Sequence, residues 1–323
     1  MPWPLLLALA LQAPPTPLAY RQASRVSMAC TYTIEAYGPN AATLPALLEA
    51  GLDEVDRIDR LMSHYKPDSP LSRLNRAASS GPVSVEPELF DFLELCLRHS
   101  RESDGAFDVT VGPLMKAWGF FRGEGRLPDD AQLAAARERV GYRHVVLDEA
   151  ARTVRFARPG VELDLGGIAK GYAVDRVVGL LREHGITAAL VSAGGSTLFA
   201  LGAPPGTLGW QVELQDPKDA RKTAMNLVLK DRALSVSGSS EKWFEAGAKR
   251  YTHVMDPRTG RPVEGVLSVA VVTDTGTRGD ALDNAFFVAG VADTRRRIRS
   301  LGVTEAIFFL PKGSGWKQVH VGY

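Results

Sequence analysis

Three oxygen-bearing side chains with helical spacing lie in the stretch TDTGTRGDALDNAFF, residues 273–287. Asp280, Asp283 and Asn284 are three and four residues apart, so a helix beginning there would place them on one face. Carboxylate and amide oxygens suit a hard cation such as Mg²⁺. Acidic residues at a helix start can also simply complement the helix dipole. The spacing therefore predicts either a magnesium site or helix-end electrostatics.

The stretch DLGGIAKG, residues 164–171, contains an acid, two glycines and a lysine in close succession. Periodicity predicts that a helix follows over 168–184. The N-terminus of such a helix can direct amide groups at a phosphate, and Lys170 would add a full positive charge. Gly166 and Gly167 would let the backbone approach a ligand without an intervening Cβ. An ordinary glycine turn is the alternative that this stretch alone leaves open.

Three further polar clusters lie in otherwise apolar surroundings: MSHYKPDSPLSRLN (62–75), DGAFDVTVGPLMKAWGF (104–120) and YTHVMDPRTGRPV (251–263). The serines of the first cluster could serve as helix caps and turn formers. Asp108, in the second, stands between aromatic and β-branched residues, which is unfavourable for a solvated charge. His253 precedes the strong turn signal DPRTG, and a lone histidine there is either structural or functional.

Composition and missing motifs exclude several classes of protein. The 323 residues carry 38 Lys and Arg against 37 Asp and Glu, so the net charge of +1 gives no electrostatic basis for nucleic-acid binding. The sequence has no GxxxxGKS/T, HExxH, CxxC, GxSxG or GxGxxG motif. Two cysteines, Cys30 and Cys96, are too few for a metal cluster, and the sequence leaves their pairing undecided.

The hydrophobic pattern predicts an α+β fold. Residues 28–37 alternate apolar and polar side chains as a half-buried strand does, whereas 48–62 follows helical spacing. Strand patterns then come in pairs and runs, notably over 144–157 and 187–202, rather than alternating with helices. This arrangement favours mixed or antiparallel sheets with segregated helices.

The C-terminal third is predicted to contain two more helices, over 280–288 and 292–300. Neither an internal repeat nor a long low-complexity linker divides the chain. We therefore predict a single domain over 21–323.

The first twenty residues, MPWPLLLALALQAPPTPLAY, differ from the rest. The apolar run from Leu5 to Leu11 is followed by a proline-rich stretch, as in a secretory signal peptide. The run is shorter than the roughly 20 residues that span a bilayer. We therefore predict a signal peptide over 1–20 and export to the periplasm or cell envelope, with a short apolar tail as the alternative. No cysteine follows the run directly, so no lipoprotein anchor is expected.

Five blocks, taken together and in this order, resemble the ApbE family, the FAD:protein FMN transferases. The blocks are MSHYKPDSPLSRLN, GAFDVTVGPL, DLGGIAKGYAVD, THVMDPRTG and GDALDNAFF, and the resemblance extends from Met28 to Val288. It implies an ApbE-like flavin transferase fold. It also implies an enzyme that uses Mg²⁺ and transfers the FMN part of FAD to a threonine or serine hydroxyl of a protein, releasing AMP. Family members often modify subunits of membrane redox complexes.

The resemblance implies a role for each residue that matches a family motif. Contacts with the flavin would come from Met28 and Tyr65. The rest of the FAD site would be formed by Ala106, Phe107, Asp108, Asp164, Lys170, His253 and Val254. The magnesium ligands would be the Gly167 carbonyl, Asp280 and Asn284, with Asp283 beside them.

Several positions depart from the family pattern. Ala29 stands where the family usually has glycine, which adds a Cβ next to Met28. The family's metal-binding threonine is replaced by Asn284, whose amide carbonyl can still bind Mg²⁺. Asp283 replaces a small residue and could add a carboxylate near the metal. The usual Asn-Leu-Gly-Gly turn is Ser-Ala-Gly-Gly here, at 192–195, which leaves the role of that turn open.

Transfer to a hydroxyl requires a base, because the pKa of a threonine hydroxyl lies far above 7. His253 is the candidate, since histidine titrates near neutrality. A carboxylate such as Asp280 could serve instead, and His253 could then only orient the nucleotide. Two other activities would use the same site. One is hydrolysis of FAD to FMN and AMP, and the other is flavin binding without catalysis by an exported protein, which needs the pocket but no metal.

Overall fold

The computed structural model describes residues 18–322 except 122, 124 and 248, and most of the predicted signal peptide lies outside these residues. The helices are α1 (Leu44–Met62), α2 (Pro70–Ala77), α3 (Pro87–Glu102), α4 (Gly112–Ala117), α5 (Asp130–Arg137), α6 (Ala169–Glu183) and α7 (Gly276–Arg297). The strands are β1 (Ala19–Ser27), β2 (Cys30–Gly38), β3 (Val83–Ser84), β4 (Val145–Asp148), β5 (Thr153–Phe156), β6 (Ala188–Ala193), β7 (Thr197–Leu201), β8 (Trp210–Asp216), β9 (Asp219–Leu229), β10 (Arg232–Gly238), β11 (Trp243–Ala246), β12 (Lys249–Thr252), β13 (Met255–Asp256), β14 (Arg261–Pro262), β15 (Ser268–Thr273), β16 (Glu305–Lys312) and β17 (Gly315–Gly322).

Eight strands form one sheet in the order β1-β2-β6-β7-β10-β15-β16-β17. Each strand of this sheet is antiparallel to its neighbours. Helices α1, α6 and α7 share a hydrophobic core with one face of the sheet, while the β8–β9 ribbon packs against the other. The predicted α+β fold with antiparallel sheet and segregated helices is confirmed.

Burial along the strands explains their sequence patterns. Strands β7 and β15 are buried along their whole length, and their sequences are correspondingly rich in apolar and β-branched residues. Strand β2 instead alternates buried and half-buried side chains, with Tyr32, Ile34 and Ala36 in the helix-side core. The sheet is therefore a rigid layer whose strand ends and turns can hold polar residues in fixed positions.

Helices α6 and α7 cross with their backbones almost in contact. A Cβ on Gly171 would collide with the carbonyl of Gly276, so glycine is required at this crossing. Asp175 of α6 also caps α7, because its carboxylate accepts hydrogen bonds from the amides of Gly276 at 2.6 Å and Thr277 at 2.8 Å. The crossing fixes the first two turns of α6 against the start of α7.

The boundaries of α7 correct the sequence prediction. The helix begins at Gly276, after the N-cap Thr275, and not at Asp280. Asp280 is therefore in the second turn, beyond the first turn in which the helix dipole acts most strongly, and helix-end electrostatics no longer explains the acids. The prediction of two C-terminal helical segments is confirmed, because Gly290 between them has a non-helical backbone with φ of +74°.

A tight turn at Met28 and Ala29 joins β1 to β2. Both residues adopt left-handed backbone conformations, with φ of +48° and +60°. The Ser27–Cys30 pair closes the turn. A side chain in this region strains the backbone, and Ala29 is the position at which the family usually has glycine.

Replacing Ala29 with glycine is expected to raise the free energy of unfolding by about 0.5–1 kcal/mol. Relief of the left-handed strain exceeds the cost of a more flexible unfolded chain. Urea denaturation would measure the change. The same substitution at Ala23, within β1, should lower stability, because glycine weakens an ordinary strand. An equal loss of unfolding free energy in both variants would contradict the conclusion that the backbone at Ala29 is strained.

Candidate active site

Helix α7 carries its two central carboxylates inside the protein. Asp280 is 3% exposed and Asp283 is 1% exposed. The Oδ2 atom of Asp280 accepts a hydrogen bond from the Gly171 amide at 2.9 Å, and its Oδ1 atom accepts one from the Thr197 hydroxyl at 3.2 Å. Because Gly171 belongs to α6 and Thr197 begins β7, Asp280 joins three elements at one point.

Oxygen atoms converge around Asn284. Its amide nitrogen donates to the Gly167 carbonyl at 3.3 Å, the Asp280 carbonyl at 2.8 Å and the Asp283 Oδ1 at 3.0 Å. The four residues predicted as metal ligands or metal neighbours thus lie side by side. A position on which three oxygens converge has the negative potential that a cation requires.

The electrostatics of the α7 acids favour a cation as well. Burial raises the pKa of Asp280, although the nearby Lys170 opposes this. The pKa of Asp283 is raised further, first by burial and then by the like charge of Asp280. Bringing a divalent cation beside the two carboxylates would remove this repulsion and let both ionise.

Lys170 extends from the first turn of α6 towards the β6–β7 turn. Its Nζ donates to the Ser196 hydroxyl at 2.6 Å, and that hydroxyl donates to the Ala193 carbonyl at 3.0 Å. Burial disfavours the charge of Lys170, but the carboxylates of Asp280 and Glu241 outweigh this effect and raise its pKa. Lys170 is therefore a fixed positive charge beside the α7 acids.

The amide groups at the start of α6 are mostly occupied, which corrects the expectation that they face a phosphate. The Ile168 and Ala169 amides both donate to the Leu165 carbonyl, at 3.1 and 2.9 Å. The Gly171 amide donates to Asp280. Positive charge at this helix start thus comes mainly from the Lys170 side chain.

The β6–β7 turn, whose role the sequence left open, positions Ser196. Gly194 and Gly195 adopt left-handed conformations with φ of +59° and +76°, which lets the chain reverse tightly between the two strands. Sequence reasoning did not identify Ser196 or Thr197, because each acts on a residue distant in the chain. The glycine pair was the only local signal of the turn.

His253 follows β12 and has a defined tautomer. Its backbone amide and its Nδ1 both lie near the Lys242 carbonyl, at 3.1 and 3.2 Å, so Nδ1 carries the proton that is donated. The Nε2 atom is 3.8 Å from a carboxylate oxygen of Glu241. Burial lowers the pKa of His253, and Glu241 opposes this in part. The lowered pKa favours the neutral imidazole, in which the lone pair is on Nε2.

Asp164 and Tyr65 are neighbours on the other side of the α6 start. Asp164 accepts a hydrogen bond from the Gly166 amide at 2.9 Å and lies 3.4 Å from Nδ1 of His64. Burial of the hydroxyl and the charge of Asp164 raise the pKa of Tyr65 to about 12. The sequence did not single out His64, which the structure places between the two predicted ligand-binding residues.

Phe107 and Asp108 face different surroundings. Phe107 is next to the α6 start, since a Cβ on Gly167 would lie 3.7 Å from its ring. The carboxylate of Asp108 is bonded internally to the Thr110 amide and hydroxyl, at 2.8 and 2.6 Å, and to the Tyr142 amide at 2.7 Å. The structure thus gives Asp108 the role of fixing the loop that carries Phe107.

The remaining predicted residues are apolar and are held by the hydrophobic core. Ala106 and Val254 are buried. The Val254 carbonyl accepts a hydrogen bond from the Val263 amide at 2.9 Å. Met28 packs against the core, and its sulfur accepts a hydrogen bond from the Tyr32 hydroxyl at 3.2 Å. Their placement comes from packing and not from contacts within the polar cluster.

Metal binding at α7 would depend on oxygen atoms from carboxylate side chains, a side-chain amide and the backbone. Within the described residues, no group of three or more His, Cys, Asp and Glu side chains could hold a metal ion. The available donors are the carboxylates of Asp280 and Asp283, the Gly167 carbonyl and, once the Asn284 amide turns its oxygen in place of its nitrogen, the Asn284 amide oxygen. Such a set of hard oxygen ligands fits Mg²⁺.

Two properties of the whole described chain complete the description. Cys30 and Cys96 are both free thiols in residues 18–322. In the same residues, no helix has the length and apolar character needed to cross a membrane.

The fold and site together define an α+β protein with buried carboxylates and a lysine ammonium group between α6, α7 and the β6–β7 turn. Residues 28–308 match the ApbE family. The chain therefore belongs to the ApbE family.

Relatives and solved structures agree with this assignment. The chain is 33% identical to the FAD:protein FMN transferase of Salmonella typhimurium, over 90% of this chain and 84% of that protein. It is 35% identical to the enzyme of the same name from Treponema pallidum, over 84% and 79% of the two chains. The ApbE crystal structure from Thermotoga maritima superimposes with a TM-score of 0.85 at 28% identity, covering 93% of this chain and 96% of that one. The flavin transferase ApbE from Vibrio cholerae gives 0.84 at 28% identity, covering 94% and 97%.

Proposed function

We propose that the protein transfers the FMN part of FAD to a threonine or serine hydroxyl of an acceptor protein, in a reaction that depends on Mg²⁺ and releases AMP. The observation that carries this proposal is the placement of the buried Lys170 near the carboxylates of Asp280 and Asp283. A positive side chain next to a site for a divalent cation is what cleavage of a pyrophosphate requires. The names of the relatives support FAD as the substrate and a protein as the acceptor.

Charge stabilisation in this reaction is divided between two groups. The pyrophosphate of FAD is negatively charged, and cleavage adds charge to the departing AMP. Mg²⁺ held by Asp280, Asn284 and the Gly167 carbonyl would neutralise part of this charge. Lys170 binds the phosphate oxygens and keeps its proton, because the surrounding carboxylates raise its pKa.

His253 is the base in this proposal. Its Nε2 lone pair accepts the proton of the acceptor hydroxyl, whose oxygen bonds to the phosphorus of the FMN part. The bond from that phosphorus to the bridging oxygen breaks, and AMP leaves. Asp280 is less suited to this role, because both of its carboxylate oxygens already accept hydrogen bonds.

The acceptor and the location of the enzyme belong to the same proposal. We infer from the N-terminal apolar run that the protein is exported and acts in the periplasm or cell envelope. A subunit of a membrane redox complex with an exported threonine or serine would be a suitable acceptor. Determining the N-terminus of the secreted protein by mass spectrometry would test the export step.

Incubation with FAD, Mg²⁺ and a candidate acceptor tests the proposed function. Covalent yellow fluorescence on the acceptor in a denaturing gel, with one AMP released per flavin attached, is the expected result. Free FMN and AMP without labelled acceptor would instead identify a hydrolase, and unchanged FAD a binding protein. Chelation of divalent cations should stop transfer and leave the protein folded. Transfer at full rate with chelator present would contradict the dependence on Mg²⁺.

Replacing Ser196 with alanine is expected to lower kcat/KM for FAD about tenfold. The substitution removes the hydroxyl that fixes the Lys170 ammonium, and a hydrogen bond to a charged group is worth about 1.5 kcal/mol. Release of AMP from FAD would be the measurement. Ser196→Thr keeps the hydroxyl and should retain most of the activity. Equal losses in both variants would mean that Ser196 serves the turn and not Lys170.

A further inference from the structure

The rings of His64, Tyr65 and Phe121 contact one another at the edge of the site. The rings of Tyr65 and Phe121 are stacked, with centroids 5.1 Å apart and planes 14° from parallel. The His64 ring lies 4.0 Å from Tyr65 and 5.3 Å from Phe121. Rings on opposite faces of Tyr65 would be about 7 Å apart, since each needs about 3.5 Å of contact distance. His64 and Phe121 therefore cover the same face of Tyr65.

The other face of Tyr65 is open. The residue is 46% exposed although two rings pack against it. Such a side chain is supported from behind and presents a flat, apolar surface in front. A planar ring of a ligand can stack on that surface without any rearrangement of the protein.

The two supporting rings are themselves fixed. His64 is 10% exposed at its side chain, and its Nδ1 lies 3.4 Å from Asp164. The Lys116 ammonium lies 4.9 Å from the centre of the Phe121 ring and pairs with Glu162 at 2.5 Å. Both supports are thus connected to charged groups of neighbouring segments, which limits their motion.

His64 has a further feature that packing does not explain. Its Nε2 is buried and finds no hydrogen-bond partner in the part of the chain that the structure describes. Leaving a buried polar atom unpaired costs about 1–3 kcal/mol. A phenylalanine would fill the same space without this cost. Histidine at this position therefore lowers the stability of the fold relative to phenylalanine, and its contacts with Asp164 and Tyr65 give the reason for its presence.

We propose that His64 and Phe121 are positioning residues that hold Tyr65 as a preformed platform for the isoalloxazine ring of the flavin. This inference rests on the proposed function and adds two residues to it. Stacking of an aromatic side chain on a planar base is worth about 1–3 kcal/mol, and a platform that is already ordered keeps more of that energy for binding. Asp164 holds His64 and so links the platform to the start of α6.

Replacing Phe121 with leucine tests the platform. Titration of the protein with FAD, FMN and AMP, followed by flavin fluorescence or calorimetry, gives a Kd for each. We expect the Kd for FAD and for FMN to rise about five- to twentyfold, whereas the Kd for AMP stays unchanged. The fluorescence of bound FMN should also increase, because a loosened Tyr65 quenches it less. His64→Ala should act in the same direction.

Phe309→Leu is the matched control, because the Phe309 ring packs against Trp316 with centroids 5.0 Å apart, in the core on the β8–β9 side of the sheet. This control variant should leave the Kd for FAD, the Kd for FMN and the fluorescence of bound FMN unchanged. Wild-type Kd and quenching in both Phe121→Leu and His64→Ala would overturn the platform, while the proposed transfer would stand. A rise in the Kd for AMP alone would assign the platform to adenine and overturn the inference. Failure of the wild-type protein to bind FAD would instead remove the proposed function.

Discussion

Replacement of Asp280 with alanine is expected to lower flavin transfer by about a thousandfold or more. The variant loses the carboxylate that joins α6, α7 and β7 and that would hold Mg²⁺. A metal ion contributes several kcal/mol of charge stabilisation in the transition state, and about 4 kcal/mol corresponds to a factor of roughly a thousand. Binding of FAD should persist in part, because Lys170 and the ring platform remain. Initial rates at saturating FAD and a Kd from flavin titration measure the two effects separately.

Two further variants separate charge from structure in this experiment. Asp280→Asn keeps the shape and one acceptor oxygen but loses the negative charge, so it should be nearly as inactive as alanine. Asp274→Ala removes an exposed acid just before α7 and should leave transfer unchanged. Melting temperatures of all three variants show whether each remains folded. Full activity in a folded Asp280→Ala protein would remove the metal assignment.

The layers of the fold could be predicted from the sequence because they follow from local periodicity. Alternation over 28–37 and helical spacing over 48–62 correspond to β2 and α1. The helix predicted over 168–184 is α6, at Ala169–Glu183. Burial against a common sheet imposes these periods on the sequence, so the pattern can be read without knowledge of long-range contacts.

The start of α7 was missed because its capping is only partly local: the Thr275 hydroxyl accepts a hydrogen bond from the Arg278 amide at 3.3 Å, and a distant residue supplies the rest. The segment Gly276–Thr277 has weak helix propensity in isolation, yet Asp175 of α6 caps it. The glycines that allow this contact resemble ordinary turn residues in the sequence. The resulting shift of the helix start moved Asp280 from the first turn to the second.

The site shows the same division between local and distant information. Residue types and spacing identified the α7 acids and Lys170, since these lie within short stretches. Ser196 and His64 were missed, because their importance comes from contacts with Lys170 and Asp164 across the fold. Serine and histidine at those positions carry no local pattern that distinguishes them from turn or cap residues.

Replacement of His253 with alanine is expected to lower transfer by about a hundred- to ten-thousandfold, the usual contribution of a general base. The wild-type rate should fall only at pH values below the ordinary pKa of histidine, because burial lowers the pKa of His253 and only its neutral form accepts a proton. In the alanine variant this acidic limb should disappear. Rates of AMP release between pH 5 and pH 9, with the acceptor present, would show the difference.

The pH profile separates a base from a residue that only orients the nucleotide. An orienting role would lower the rate in His253→Ala by a similar factor at every pH and raise the KM for FAD. A base leaves the KM nearly unchanged, and added imidazole should restore part of the rate. His184→Ala, at an exposed histidine following α6, controls for loss of an imidazole elsewhere. The Nδ1–H group of neutral His253 donates a hydrogen bond to the Lys242 carbonyl, so the lone pair of the ring is on Nε2. The base assignment therefore requires that Nε2 faces the acceptor hydroxyl.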